Sequence, residues 1–246
     1  MTALIPQSCD VDIHYPSSDG EPVAETFLHF YALAVTLEVL LQYLEGQQAA
    51  VLANQFLYYS KGMPKLRVAP DVMVIFGVEP GPRDNYKIWQ EGQVPSVVFE
   101  MTSKGTQDQD KVFKKTLYEQ LGVQEYWLFD PKGEWVENQL QGYRLERDIY
   151  QPITDGCSEP LELRLQAEGQ LIGFYRQDTG DRLLIPNELA QSLKQEALAR
   201  QQAEQRAEQE RQRAEQARQR AEQAEAELAQ LRAELKAKGI ELTDES

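Results

Sequence analysis

Two carboxylates in this chain sit where carboxylates are out of place. Asp71 lies in A-P-D-V-M-V-I-F (69–76) and Glu100 in V-P-S-V-V-F-E-M-T-S (94–103), each inside a β-branched apolar run. A charge at the margin of a buried strand costs several kcal/mol unless something pairs with it. The chemistry that two such acids can share is that of a hard divalent cation. Mg²⁺ prefers carboxylate oxygens and keeps several of its waters. A water held there is acidified and can be aimed at a phosphodiester, while a nearby lysine holds that water or the developing charge. Lysines follow directly. The polar stretch T-S-K-G-T-Q-D-Q-D (102–110) leads into K-V-F-K-K-T-L-Y-E-Q-L-G-V (111–123), a helical pattern, and E-Y-W-L-F-D-P (125–131) reads as a strand.

The elements that must position these groups can be taken in order. From Pro22 to about Leu44, Phe27, Tyr31, Ala34, Leu37, Leu41 and Leu44 recur at helical spacing. Glu25 and His29 stand one turn apart near its start and can share a surface, the alternative being an exposed acid favoured by the helix dipole. His14 and His29 are too few and too far apart for a histidine-based site, and neither is given a role. Val51–Ser60 reads as a strand, and Val72–Val78 as a strand covered on both faces. Tyr86–Gln90 reads as a short edge strand and Ser96–Met101 as the second buried strand. The segment Asp108–Leu121 is expected to be one helix with Val112, Lys115 and Tyr118 on one side and Gly122 at its C′ position. Tyr126–Phe129 is a further strand, its Tyr126-Trp127 pair a matter of core packing. Alternation returns after Glu134, and Leu161–Leu165 and Gln170–Tyr175 form another strand pair. A helix, several strands, a helix and more strands, without a regular βαβ repeat, make a mixed-sheet α/β or α+β fold.

Residues 188–246 form a separate region beyond a 1–187 domain. From Glu188 to Lys236 there is no glycine or proline, and R-A-E-Q recurs at 206–209, 213–216 and 220–223. That strict seven-residue period predicts a coiled coil, most simply a homodimer. Its seams are Ala207, Ala214, Ala221, Leu228, Leu235 and Ala203, Glu210, Ala217, Ala224, Leu231. A single solvated helix is the other outcome for so many good helix formers. The 246 residues carry a net charge of −15, with pI near 4.7, the wrong sign for holding nucleic acid by charge alone. Cys9 and Cys157 lack metal-site spacing and are expected to be free thiols. Neither a signal peptide nor a membrane span is visible, and a cytoplasmic location is expected.

The runs P-D-V-M-V-I-F, V-V-F-E-M-T-S-K-G-T and K-K-T-L-Y-E-Q-L-G-V-Q-E-Y-W-L-F-D-P together resemble the Uma-two family, restriction endonucleases of the PD-(D/E)XK nuclease superfamily. S-D-G-E-P-V-A-E-T ahead of the first helix and D-T-G-D-R-L-L-I-P-N-E-L near residue 190 resemble it too. The resemblance spans about residues 15–190, and the heptad tail matches helices that some members append. It implies a restriction-endonuclease-like core of α-β-β-β-α-β order and Mg²⁺-dependent (or Mn²⁺-dependent) hydrolysis of DNA. Asp71 and Glu100 would hold the metal, and Glu25 would be the helix acid completing the site. The superfamily pattern puts a lysine two residues after Glu100, where this chain has Thr102. The family pattern has one four residues before the helix tyrosine, which is Lys114 before Tyr118, with Lys104 and Lys115 as competitors. The other reading is a catalytically weak or inactive nuclease-fold protein that binds and assembles through its coiled coil.

Overall fold

The computed structural model describes residues 13–18, 20, 26–103 and 109–237. They fall into two compact units, Met1–Pro186 and Asn187–Ser246. In the first, helix α1 (Phe27–Tyr43) is opened by Thr26, whose hydroxyl accepts the His29 N–H at 3.4 Å. Five short strands follow: β1 (Ala49–Ala53), β2 (Leu57–Tyr58), β3 (Arg67–Val68), β4 (Val72–Phe76) and β5 (Tyr86–Lys87). After the helical turn α2 (Ile88–Glu91) comes β6 (Val97–Met101), then a π-helical turn (Gln109–Lys114) running straight into α3 (Lys115–Leu121). Strands β7 (Glu125–Phe129), β8 (Leu140–Glu146), β9 (Ile149–Ile153), β10 (Cys157–Ser158), β11 (Leu163–Glu168) and β12 (Leu171–Arg176) complete the unit.

Six strands form the main sheet, in the order β1-β4-β6-β7-β8-β9. Among the described residues β6 and β7 are the one parallel pair of this sheet, and a parallel pair needs a crossover, which the π-turn and α3 supply. Along the sheet the order is α1, β1, β4, β6, α3, β7, the α-β-β-β-α-β order expected. Both faces are covered, which explains the apolar runs. On one face Val72, Val97, Phe99 and Trp127 pack with α1 and the β10-β11-β12 sheet, where Phe99 meets Phe174 edge-on at 6.0 Å. On the other, Met73, Val98, Tyr126 and Leu128 pack with Tyr118, Leu57 and Tyr86. Strand alternation therefore puts Glu100 on the face of Val98, towards α3.

Three local expectations change. The run Val51–Ser60 is two strands, because Asn54 takes φ 49° and turns the chain after Ala53. Tyr86–Gln90 keeps two strand residues before α2, which ends on Gly92 at φ 77°. The Asp108–Leu121 helix changes pitch at Lys115, so Val112 and Tyr118 do not share a side: Val112 is 68% exposed and Tyr118 fully buried. Gly122 at φ 82° closes α3 as expected.

In the second unit the chain is a single helix, α4 (Pro186–Ala237), with Leu228 52% and Leu231 58% exposed. Ion pairs one turn apart, such as Arg200–Glu204 at 3.2 Å and Arg218–Glu222 at 2.9 Å, lie on its surface and contribute a few tenths of a kcal/mol each. Among the described residues no helix is long and apolar enough to cross a membrane.

Candidate active site

The register of β4 and β6 pairs Val72 with Phe99, so Asp71 and Glu100 come next, side by side, at the end of the two strands. Asp71 is anchored by the other strand's backbone: the Met101 N–H donates to its Oδ2 at 2.6 Å. This leaves Oδ1 as the oxygen of Asp71 turned away from that anchor. Glu100 is fully buried and held through both oxygens. The Lys114 ammonium lies 2.7 Å from Oε2, and the Tyr118 hydroxyl donates to Oε1 at 2.6 Å. The site stands at the carboxyl ends of the parallel pair β6–β7, the place where open α/β sheets bind ligands.

Asp110, on the π-turn, completes the group. It is buried, its Oδ1 lies 3.0 Å from the Lys114 ammonium, and its Oδ2 accepts the Thr102 hydroxyl at 3.0 Å. The Tyr126 hydroxyl donates to the Asp110 carbonyl at 3.0 Å. Three carboxylates thus surround one lysine. Burial raises the Glu100 carboxyl to about 8; Lys114 opposes the rise, and Asp71 and Asp110 add to it. Burial pulls Lys114 down, but Glu100, Asp110 and Asp71 outweigh it and hold the ammonium charged. Burial, with Glu100 next, keeps the Tyr118 hydroxyl protonated. Lys114 keeps its proton, and Glu100 is the acid that takes one up.

Of the residues singled out from the sequence, Asp71, Glu100 and Lys114 meet here. Glu25 and Lys104 lie outside the described residues. Lys115 points elsewhere, its ammonium 3.7 Å above the Tyr143 ring. His29, given no role in the sequence, has its Nε2 3.5 Å from Asp71 Oδ2. With Thr26, Leu28, Thr102, Ser103, Pro131 and Lys132 it lines a cavity of about 170 Å³. A larger cleft, about 600 Å³, runs between β8, β9 and β11 and touches none of these site residues.

Asp110 was missed because it stands where the polar stretch 102–110 overlaps the start of the expected helix, and a π-turn has no 3.6-residue period to reveal it. Its signal was its place four residues before Lys114. Among the described residues no three His, Cys, Asp or Glu side chains form a ready metal cage. The donor set nevertheless fits a cation of the Mg²⁺ kind, which uses one or two carboxylates and fills its other positions with water. An excess of buried carboxylates over ammonium groups is what such a cation relieves.

A family model, Uma2, described as "Putative restriction endonuclease", matches residues 5–172. Among solved structures the chain is similar to "a putative nuclease belonging to DUF820" from Anabaena variabilis ATCC 29413. The two are 18% identical, over 56% of this chain and 72% of that one, with a TM-score of 0.40. No curated protein matches the chain.

Proposed function

The chain belongs to the Uma2 family, and from that premise we propose that it is a Mg²⁺- or Mn²⁺-dependent DNA endonuclease hydrolysing phosphodiester bonds. The observation that carries the reading is the fully buried Glu100 placed beside Asp71 and bonded to Lys114. Asp71, through the oxygen its backbone anchor leaves, and Glu100 would hold the cation. When bound, that ion supplies an acidified water and neutralises charge on the phosphate. Tyr118 keeps Glu100 in place through Oε1, so only Oε2 changes partner. Were Oε2 taken by the cation, Lys114 would be free to direct its ammonium at the attacking water or the developing charge. Glu25 is the further acid in this proposal. The tail's lysines and arginines nearly balance its acids, so the −15 belongs chiefly to residues 1–187. The fit to DNA is therefore local to the site and relies on the cation.

The test is Mg²⁺-dependent cleavage of plasmid and single-stranded DNA by wild type and by Asp71→Asn, Glu100→Gln. Wild type is expected to cleave and to melt at higher temperature with Mg²⁺, and the double variant to do neither. Equal metal-induced shifts in both proteins would remove the site. A protein that binds Mg²⁺ yet cleaves nothing supports the scaffold reading, favoured by the closure of both Glu100 oxygens by Lys114 and Tyr118. We also infer a homodimer through the coiled coil, with Leu228, Leu231 and Leu235 in the seam. Sedimentation of the full chain against one ending at Glu188 decides this, two monomers counting against it.

A further inference from the structure

We propose that Asp110 and Thr102 are positioning residues that hold Lys114 over the site once Glu100 has turned to its cation. This rests on the nuclease reading above and adds a role that the reading does not contain. Lysine has a long flexible stem, and an ammonium has no fork geometry to fix its direction. Two acids fix it here, Glu100 at 2.7 Å and Asp110 at 3.0 Å. A cation on Glu100 competes with Lys114 for Oε2, and Asp110 is then the partner that remains.

Asp110 is itself held from two strands. The Thr102 hydroxyl donates to its Oδ2, and the Tyr126 hydroxyl donates to its carbonyl. Thr102 in turn is tied to β7, its N–H donating to the Phe129 carbonyl at 2.7 Å. Both residues are buried, Thr102 2% and Asp110 1% exposed, which excludes a role as surface polar groups. Asp110 and Lys114 share one six-residue π-turn, a wider turn than an α-helix makes and one often found at functional sites. The position where the superfamily pattern has its lysine therefore carries a hydroxyl that braces the lysine's new holder.

The experiment is a kinetic double-mutant cycle on the full chain, Asp110→Asn with Lys114→Ala, at saturating Mg²⁺ and DNA. Asp110→Asn is expected to lower kcat about 10²-fold with KM little changed, and to cost nothing further when Lys114 is already alanine. Thr102→Val, which removes one hydroxyl at nearly constant volume, should show the same dependence on Lys114 with a smaller loss. Losses that add in the cycle would overturn the proposal, since they would mean Asp110 acts independently of Lys114. A readout free of activity accompanies it: acetylation of Lys114 by N-hydroxysuccinimidyl acetate, followed by peptide mass spectrometry. Lys114 should be protected in wild type and acetylated several-fold faster in Asp110→Asn and Thr102→Val at unchanged Tm. Unchanged acetylation would sink the positioning role. An inactive wild type would sink the nuclease reading, and the acetylation rates would then decide the positioning on their own.

Discussion

Glu100 and Glu125 are both fully buried, at opposite ends of the parallel pair β6–β7, and they are kept there by different means. Glu125 is surrounded by donors: the Trp127 indole N–H at 3.1 Å, Arg144 through Nε at 3.0 Å and a second nitrogen at 2.9 Å, and the Glu159 N–H at 3.0 Å. Glu100 has one ammonium and one hydroxyl, with two further acids nearby. Three of these donors meet one oxygen and the fourth meets the other, so this carboxylate ties β7, β8 and the residue after β10 together and holds structure. One with two donors and like charge around it is a poor structural element. It makes sense as a group that exchanges its partner.

The largest effect that sharpens this contrast is on rate. Glu100→Gln should lower Mg²⁺-dependent cleavage by about 10³ while the fold melts no earlier in EDTA. Glu125→Gln should leave cleavage per folded molecule within about threefold, the difference between active-site and structural roles. Next in size is stability: Glu125→Gln takes a buried charged acceptor from Arg144, which keeps Glu159 and the Cys157 carbonyl, and should cost about 2 kcal/mol in urea unfolding. A loss of rate without a loss of stability in Glu125→Gln would break the comparison outright.

Acidity at the Glu100 end comes next. The folded Glu100 carboxyl is raised to about 8 from its ordinary value of 4.5. The folded state therefore binds more protons than the unfolded chain between those values. Its contribution to stability is complete below about 4.5 and is lost as pH rises through about 8. In EDTA, wild-type stability should fall across that window by up to about 1.4 kcal/mol per pH unit. Glu100→Gln should flatten the slope and Glu125→Gln should not, as thermal melts across pH would read.

The smallest effect belongs to the Glu125 end, where β8 and β9 turn at Arg147 (φ 49°) and Asp148 (φ 69°). Both φ values suit Asn-Gly better. Replacing the pair by Asn-Gly should stabilise by about 0.5 kcal/mol and leave cleavage unchanged. A change in rate would mean the two ends are coupled.

The sequence showed the Glu100 end better than the Glu125 end, for reasons that lie in the residues. Asp71 and Glu100 stood out as acids inside apolar runs. Lys114 came from the resemblance, as the lysine four residues before Tyr118, and it lies in the π-turn just ahead of the regular helix. Glu125 opens a strand after Gly122-Val123-Gln124, where an acid is unremarkable, and its partner Arg144 is 19 residues away. Asp110 and His29 needed three dimensions: one sits in a turn without helical period, and the other meets Asp71 only because α1 lies against the sheet. Trp127 likewise revealed nothing of Gly142, although a Cβ on that glycine would come within 2.6 Å of the indole.

The π-turn at Gln109–Lys114 also bears on how such a chain can change. A wide turn differs from an ordinary one by a single inserted residue, so the mutational step that makes or unmakes it is one codon gained or lost. Removing one residue there would swing Asp110 by about 100° against α3, parting it from Lys114 while leaving Tyr118 on Glu100. An insertion or deletion scan through this segment would find a position where the fold survives and the lysine goes out of gear.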